Sequence, residues 1–319
     1  MSAKSQIRLL IVYCLVAVPV ALAQVPATTS APARTTDEQT TFASPEEAVK
    51  ALAEATKARD KEAIHKVFGP AVKELVSGDE VQDREDFEEF SKALAAMTEL
   101  VKKDDSTVIL HIGKENFPFP IPIVKKDGKW FFDTAAGKEE ILNRRVGENE
   151  LDTIKFCRAY VEAQFEYFSK DRDGDDVLQY AQRFVSTEGK KNGLYWSTKP
   201  DEPLSPLGEL AAQATAEGYG KSDKKDHRPE PFHGYFFKIL TKQGAKAAGG
   251  QYDYVINGHM LAGFALVAWP ATWGNSGVMT FMVSSNGKVY EKNLGEKTAE
   301  LAKDMTEYNP DETWTVVKN

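Results

Sequence analysis

The sequence predicts an α+β protein of two domains, each with helices packed on an antiparallel sheet, and three observations carry that prediction. Apolar residues recur every three or four positions in a stretch after Ser44 and again after Glu148. Each helical stretch is followed by β-rich runs punctuated by tight-turn pairs, Asp127-Gly128 in the first half and Asn286-Gly287 in the second. With 319 residues the chain is too long for one typical domain and comfortable for two.

The N-terminus has the three parts of a secretory leader. Lys4 and Arg8 supply the positive region, Leu9 to Val20 the apolar stretch, and Ala21-Leu22-Ala23 an A-x-A cleavage site before Gln24. The apolar run is about a dozen residues, short of the roughly 20 that span a bilayer. Residues 1–23 are therefore expected to be a cleaved signal peptide that leaves no membrane span, and the expected compartment is the periplasm or the exterior. Cys14 leaves with the leader and has neither the position nor the small-residue context of a lipidation cysteine. Of the two cysteines only Cys157 stays, so no internal disulfide can form.

Residues 24–43 are Pro-, Ala- and Thr-rich at first and read as a flexible linker. The first domain, residues 44–146, opens with Ser44-Pro45-Glu46-Glu47, a capping box with proline in the first turn. Val49, Leu52, Ala53 and Thr56 follow at helical spacing. Asp60 starts a second helix carrying Ile64, Val67 and Phe68. A third is expected from about Asp83 to Lys102, with Phe87, Phe90, Leu94 and Met97 on one face. Thr107 to Ile112 is β-rich, Phe117 to Val124 carries prolines that place it at a sheet edge, and Asp127-Gly128 turns into Lys129 to Phe132.

The second domain, residues 147–319, begins with the most regular helix, Glu148 to Ser169, whose stripe is Ile154, Cys157, Val161, Phe165 and Phe168. Cys157 lies on that stripe and is expected to be a buried core thiol. Further helices are expected over Val177 to Phe184 and from Ser205-Pro206 to Ala214. Strands follow at Phe232–Leu240, Tyr252–Asn257, Ala262–Trp269, Val278–Val283 and Lys288–Lys292, and a closing helix at Lys297–Met305.

The formal net charge is -8, and loss of Lys4 and Arg8 with the leader takes it to -10. There is no basic block, which argues against nucleic acid and anionic lipid as partners. The sharpest local pattern is Asp171-Arg172-Asp173-Gly174-Asp175-Asp176 between two expected helices. Alternate aspartates suit calcium, with Asp171, Asp173 and Asp175 as the ligands. Asp176 stands where an EF-hand has glycine and Gln182 where it has glutamate, and a solvated acidic loop accounts for the run equally well. The five histidines, His65, His111, His227, His233 and His259, form no pair with metal-ligand spacing. His227 and His233 flank a Pro-rich loop and are expected at the surface, and His259 in a turn between strands. Trp196 and Trp273 lie in glycine-rich loops where an indole can stack on a sugar or peptide. His259, Trp273, Trp196 and His233 are thus the candidate ligand-binding residues. Ser276 in Gly274-Asn275-Ser276-Gly277 lacks the glycine two residues on that a hydrolase elbow needs, and there is no phosphate-binding loop or dinucleotide fingerprint.

Five segments carry a resemblance: Gln179-Tyr180-Ala181-Gln182-Arg183-Phe184, Gly193-Leu194-Tyr195-Trp196, Ser205-Pro206-Leu207-Gly208, Pro231-Phe232-His233-Gly234-Tyr235, and Gly263 to Pro270. They resemble the exported bacterial proteins catalogued as domain of unknown function 2950, across nearly all of the chain after the leader. The resemblance implies export in bacteria of the Gram-negative type and supplies no activity. The first domain also resembles the cystatin-like or nuclear-transport-factor-two-like cone. The second resembles the globular head of type IV pilin-like proteins, without their apolar assembly helix.

The expected role is non-catalytic binding or envelope support, with an envelope protein or cell-wall component as partner. The alternative is an envelope hydrolase using His259 with Ser276 or a carboxylate.

Overall fold

Helix α1, Pro45–Ala58, forms where its capping box predicts. Ser44 Oγ accepts from Glu47 N at 3.2 Å, and Glu47 Oε2 accepts from Ala43 N at 3.1 Å. The helix stops at Arg59, whose φ of 53° is left-handed. Asp60 Oδ1 accepts from Ala63 N and caps α2, Lys61–Phe68. A 3-10 turn, Pro70–Leu75, and α3, Glu80–Ala96, follow. The computed structural model describes residues 39–172, 174–199, 201–217, 219 and 230–318. The expected signal peptide, most of the linker, Asp173 and His227 lie outside them. Contacts divide the chain into two compact units, one running to Val76 and resuming at Asp83–Ile141, the other made of Ser77–Gln82 and Leu142–Asn319.

In the first unit the strands are β1 (Thr98–Lys102), β2 (Thr107–Ile112), β3 (Phe117–Pro118), β4 (Ile123–Lys126) and β5 (Lys129–Phe132). The antiparallel order is β1-β2-β4-β5, with β3 also on β2. Two expectations need correction. The third helix ends at Ala96, and Thr98–Lys102 is a strand in register with Val108–Ile112. The pairing with β2 overrides the helical period that Met97 extends. The linker also ends sooner than Ala43. Gln39 Nε2 donates to Val67 O and Phe132 O at 3.0 and 2.7 Å, and Phe42 pairs with Trp130 in both directions. The hairpin at Asp127 and Gly128, φ 51° and 79°, has the two left-handed residues of a type I′ turn. The core packs Leu52, Ile64, Phe68, Phe87 and Phe90 with Leu110, Ile112, Ile121, Ile123 and Phe132.

The second unit has the antiparallel sheet order β14-β13-β12-β11-β6, from β6 (Tyr235–Leu240), β11 (Ala265–Pro270), β12 (Met279–Ser284), β13 (Val289–Asn293) and β14 (Thr315–Val316). Two short hairpins join β7 (Lys242–Gln243) to β8 (Tyr252–Asp253) and β9 (Val255–Ile256) to β10 (His259–Met260). The helices are α4 (Thr134–Phe168), which belongs to this unit from Leu142 on, α5 (Gly208–Glu217) and α6 (Thr298–Asp304). Helix α4 begins well before Glu148 because Asp133 Oδ1 accepts from Ala136 N and caps it there. Among the described residues no helix is long and apolar enough to cross a membrane.

Helix α4 buries Cys157, Tyr160, Val161, Ala163, Gln164 and Tyr167 in this unit's core, while Phe165 stays 47% exposed with one edge against Phe264. That is a correction to the expected stripe. Gln164 can be buried because its amide is fully used: Nε2 donates to Ala181 O and Oε1 accepts from Ala181 N, both at 2.8 Å. The same contact explains a second correction. Val177–Phe184 is not a helix. Its backbone bonds outward, Ala181 to Gln164 and Tyr180 N to Met260 O at 2.8 Å, leaving an irregular strand-like path. The expected strand Tyr252–Asn257 is split into β8 and β9, and His259 lies on β10 rather than in a turn.

Candidate binding site

Buried and half-buried ionisable groups of the second unit gather around His233. This residue is buried, which corrects its expected place on the surface. It has a left-handed φ of 48°, and Gly234 follows at 73°. A Cβ on Gly234 would stand 2.4 Å from Asn149 Nδ2, so the tight path past α4 requires glycine. His233 Nδ1 lies 3.2 Å from Asp152 Oδ2 and Nε2 2.8 Å from Glu217 Oε2. An imidazole can donate to two carboxylates only as the imidazolium. Burial raises the Asp152 carboxyl, but hydrogen bonds from His233 and Lys155 outweigh it and hold the pKa at about 2.

The network continues through the backbone. His233 N donates to Tyr219 Oη at 3.2 Å, and Tyr219 Oη donates to Asp79 Oδ2 at 2.8 Å. Asp79 also receives Gly234 N on Oδ2, with Val81 N and Gln82 N on Oδ1, each at 3.1 Å. Burial pushes the Asp79 carboxyl upward against those four donors, and burial with the nearby Asp79 charge pushes the Tyr219 phenol upward. Asp79, Asp152, Glu217 and Tyr219 were not candidates on sequence. Their spacing carries no motif, although Asp79-x-x-Gln82 is a capping pattern that marks the start of α3. The arrangement is a clamp, because both ring nitrogens of His233 serve protein carboxylates and neither is left to act as a general base.

Ser276 and Trp273 lie together on the β11–β12 loop, which α4 grips. Arg145 Nη1 donates to Asn275 Oδ1, Asn149 Nδ2 donates to Ser276 O at 2.9 Å, and Glu150 Oε1 accepts from Val278 N and Met279 N at 2.9 Å. Ser276 Oγ accepts from Thr272 N at 3.0 Å, is placed to donate to Thr272 O at 3.3 Å, and is fully buried. Among the described residues no histidine hydrogen-bonds to it. Trp273 Nε1 donates to Asn293 Oδ1 at 3.0 Å. The Cys157 thiol is pushed up to about 12 by burial, which removes it as a nucleophile near neutral pH.

His259 sits in a different setting. On the β9–β10 hairpin it pairs in register with Ile256, so both project from one face, while Met260 is buried on the other. Its Nδ1 is 3.5 Å from Asp175 Oδ2, an ion-pair separation when the ring is protonated but longer than a well-formed hydrogen bond. The backbone link from Tyr180 to Met260 brings in an aromatic cluster. Tyr180 lies 4.8 Å from Phe264, 4.5 Å from Phe168 and 6.1 Å from Phe165. Phe165 of this cluster is 47% exposed, and Leu178, Ile256 and Leu261, close to Tyr180 or Met260 along the chain, are 46%, 48% and 38% exposed.

The acidic loop borders the same region. Asp171 Oδ1 and Oδ2 accept from Gly174 N and Asp176 N at 2.8 and 2.9 Å, and Asp175 Oδ1 accepts from Val177 N at 3.0 Å. These carboxylates cap their own loop. Among the described residues no group of three or more His, Cys, Asp or Glu side chains is placed to hold a metal ion. Arg172 lies 5.3 Å from the Trp196 ring and donates to Glu166 O and Tyr167 O. His259 and Asp175 are therefore in contact, Trp196 is tied to the acidic loop through Arg172, and His233 belongs to the clamp.

A family model described as "Protein of unknown function (DUF2950)" matches residues 39–317. No curated protein matches the chain. No solved structure matches it.

Proposed function

We propose that this chain, which belongs to the DUF2950 family of proteins of unknown function, is an exported, non-catalytic binding protein of the cell envelope. The supporting observation is that Phe165, in ring contact with Tyr180, and also Leu178, Ile256 and Leu261 are exposed large apolar side chains, with His259 and Asp175 paired on the β9–β10 hairpin and the acidic loop. Large apolar side chains left exposed are what a binding face offers. The reactive groups point the other way, since Ser276, Cys157 and His233 are buried or committed to partners. Export rests on the leader pattern that ends at Ala23.

The test compares wild-type protein with a Phe165→Ser/Leu261→Ser variant for retention on washed envelope fractions. Retention that falls about tenfold in the variant, with an unchanged melting point, supports the reading. Equal retention removes it. Fractionation with N-terminal sequencing checks export, and a mature chain starting at Gln24 is the expected result.

A further inference from the structure

The chain holds three Asn-Gly pairs, at Asn192, Asn257 and Asn286, and the fold treats them differently. Glycine after asparagine leaves the next backbone nitrogen unshielded, so that nitrogen can attack the asparagine side chain. The Asn192 amide is held at both ends by Thr187: Oδ1 accepts from Thr187 N at 2.9 Å, and Nδ2 donates to Thr187 Oγ1 at 3.4 Å. Gly193 is buried, and a Cβ there would stand 2.8 Å from Ser186 N. Asn286 Oδ1 accepts from Lys288 N at 2.8 Å, and Gly287 N donates to Ser284 O at 2.9 Å. At the β9–β10 turn both restraints are missing among the described residues. There the Asn257 amide makes no hydrogen bond, and Gly258 N donates to no acceptor. Both residues are exposed, and a Cβ on Gly258 would meet nothing within 4 Å. The hairpin has only the pairs Ile256 with His259 and Val255 with Met260, and so short a ladder opens readily.

We infer that Asn257-Gly258 is a site of spontaneous deamidation that loosens the His259 hairpin. Hydroxide takes the Gly258 amide proton, and the nitrogen attacks Cγ of Asn257. The N–Cγ bond forms, the Cγ–Nδ2 bond breaks, and ammonia leaves with a proton from water, which restores the hydroxide. Water then opens the cyclic imide. Breaking the new N–Cγ bond gives aspartate. Breaking the original peptide bond gives isoaspartate, whose backbone runs through Cβ and is longer by a methylene. Either product adds a negative charge close along the chain to His259. The longer backbone no longer fits the tight turn that keeps Ile256 opposite His259. The strain reaches His259, 3.5 Å from Asp175, and the 2.8 Å bond from Tyr180 N to Met260 O. None of this depends on the binding role.

The full chain is incubated for days at mildly alkaline pH, folded and in urea. The three asparagines are followed by peptide mapping that separates aspartyl from isoaspartyl products. In the folded chain Asn257 should convert at least about tenfold faster than Asn192 or Asn286, since each of those must first give up two hydrogen bonds. In urea the three rates should draw together. Comparable rates in the folded chain, or an Asn257 that stays intact, overturn the inference. The same ratio of rates in urea also overturns it, because local sequence and not the fold would then set the ranking. Hydrogen exchange at the Tyr180 amide reads the loosening. It should quicken at least about tenfold in the aged isoaspartyl protein. In Asn257→Asp, which adds the charge without lengthening the chain, it should stay near wild type. Aspartate tolerates the φ of 51° at this position, so the variant keeps the turn. Unchanged protection in the aged protein, or equal quickening in Asn257→Asp, overturns the lengthened turn as the cause.

Discussion

Replacing Asp79 by asparagine tests the clamp at its most connected atom pair. The carboxylate receives four donors: Val81 N and Gln82 N on Oδ1, Tyr219 Oη and Gly234 N on Oδ2. Asparagine keeps one acceptor oxygen and turns the other into an NH₂ group. If the oxygen stays at the start of α3, the amide faces Gly234 N–H and the Tyr219 hydroxyl. The hydroxyl can rotate to accept, but the Gly234 N–H is left without an acceptor in a buried setting. One orphaned donor costs about 1–3 kcal/mol, and losing a charge-assisted bond from Tyr219 adds about 1.5–3 kcal/mol. Removing a carboxylate whose ionised form burial disfavours returns part of this. The net expectation is a loss of about 3 kcal/mol, or a melting point lower by about 6–12 °C for a domain of this size. Tryptophan fluorescence reports on the right unit, since Trp196, Trp269, Trp273 and Trp314 lie in the second and Trp130 in the first. A melting point within about 2 °C of wild type would refute the claim that these four donors converge on one carboxylate.

Three further outcomes follow from the same geometry. Asp152 has a folded pKa of about 2, below the ordinary 3.8, so its stabilisation is complete above about pH 4 and is lost as pH falls towards 2. The shift is worth at most about 2.4 kcal/mol, or about 1–2 after discounting for partial exposure. Urea unfolding should therefore show a gap between wild type and Asp152→Asn that narrows from pH 5 to pH 2.5; a constant gap counts against the His233 pairing. Gln164→Leu keeps the volume but strands both backbone groups of buried Ala181, for about 2–4 kcal/mol. Hydrogen exchange at the Ala181 amide should quicken in that variant, and wild-type protection would mean another partner holds it. Gly277→Ala places a Cβ 2.1 Å from Tyr235 Oη and 2.5 Å from its Cζ, against a fully buried ring. We expect about 3 kcal/mol or more of destabilisation, checked by the same melts, and none would be inconsistent with the packing of β6 on that loop.

Local chemistry was legible in the sequence wherever the deciding atoms were close along the chain. The Ser44–Glu47 capping box and the Asp127-Gly128 hairpin both appear in the structure with the expected hydrogen bonds or dihedrals. Misreadings arose where a distant partner decided. Thr98–Lys102 extends a helical period, yet β2 claims it as a strand. On α4, hydrophobicity ranks Phe165 above Gln164 for burial, and the order reverses because Ala181 satisfies both ends of the glutamine amide. That contact also supplies backbone partners to a segment that otherwise scans as a helix. The site shows the same division. His259 was identifiable by type, but its partner Asp175 comes from a loop more than eighty residues away along the chain. His233 looked like a loop residue because nothing near it in sequence reveals Asp152 and Glu217.

The clamp and the exposed surface use similar residue types to opposite ends, and the difference lies in where their hydrogen bonds go. Burying Asp79 and His233 and half-burying Asp152 and Glu217 costs desolvation that their mutual contacts must offset, so the cluster adds little net stability relative to an apolar core of the same shape. What it supplies is register. The imidazolium can satisfy Asp152 and Glu217 only with the chain turned at His233 and Gly234, and that turn presents the backbone N–H groups that Tyr219 and Asp79 require. Breaking one member leaves a buried charge without its partner, which makes the whole set cooperative. By contrast, the carboxylates of Glu162, Glu166 and Asp176 remain solvated, and Phe165 and Leu261 are exposed. Changes there carry little folding cost. Substitutions in the clamp should therefore lower stability and affect binding only through the fraction folded, whereas those at the surface should change binding at constant stability. A clamp variant that kept its melting point but lost binding would show that the two regions are coupled and that His233 has a part in recognition.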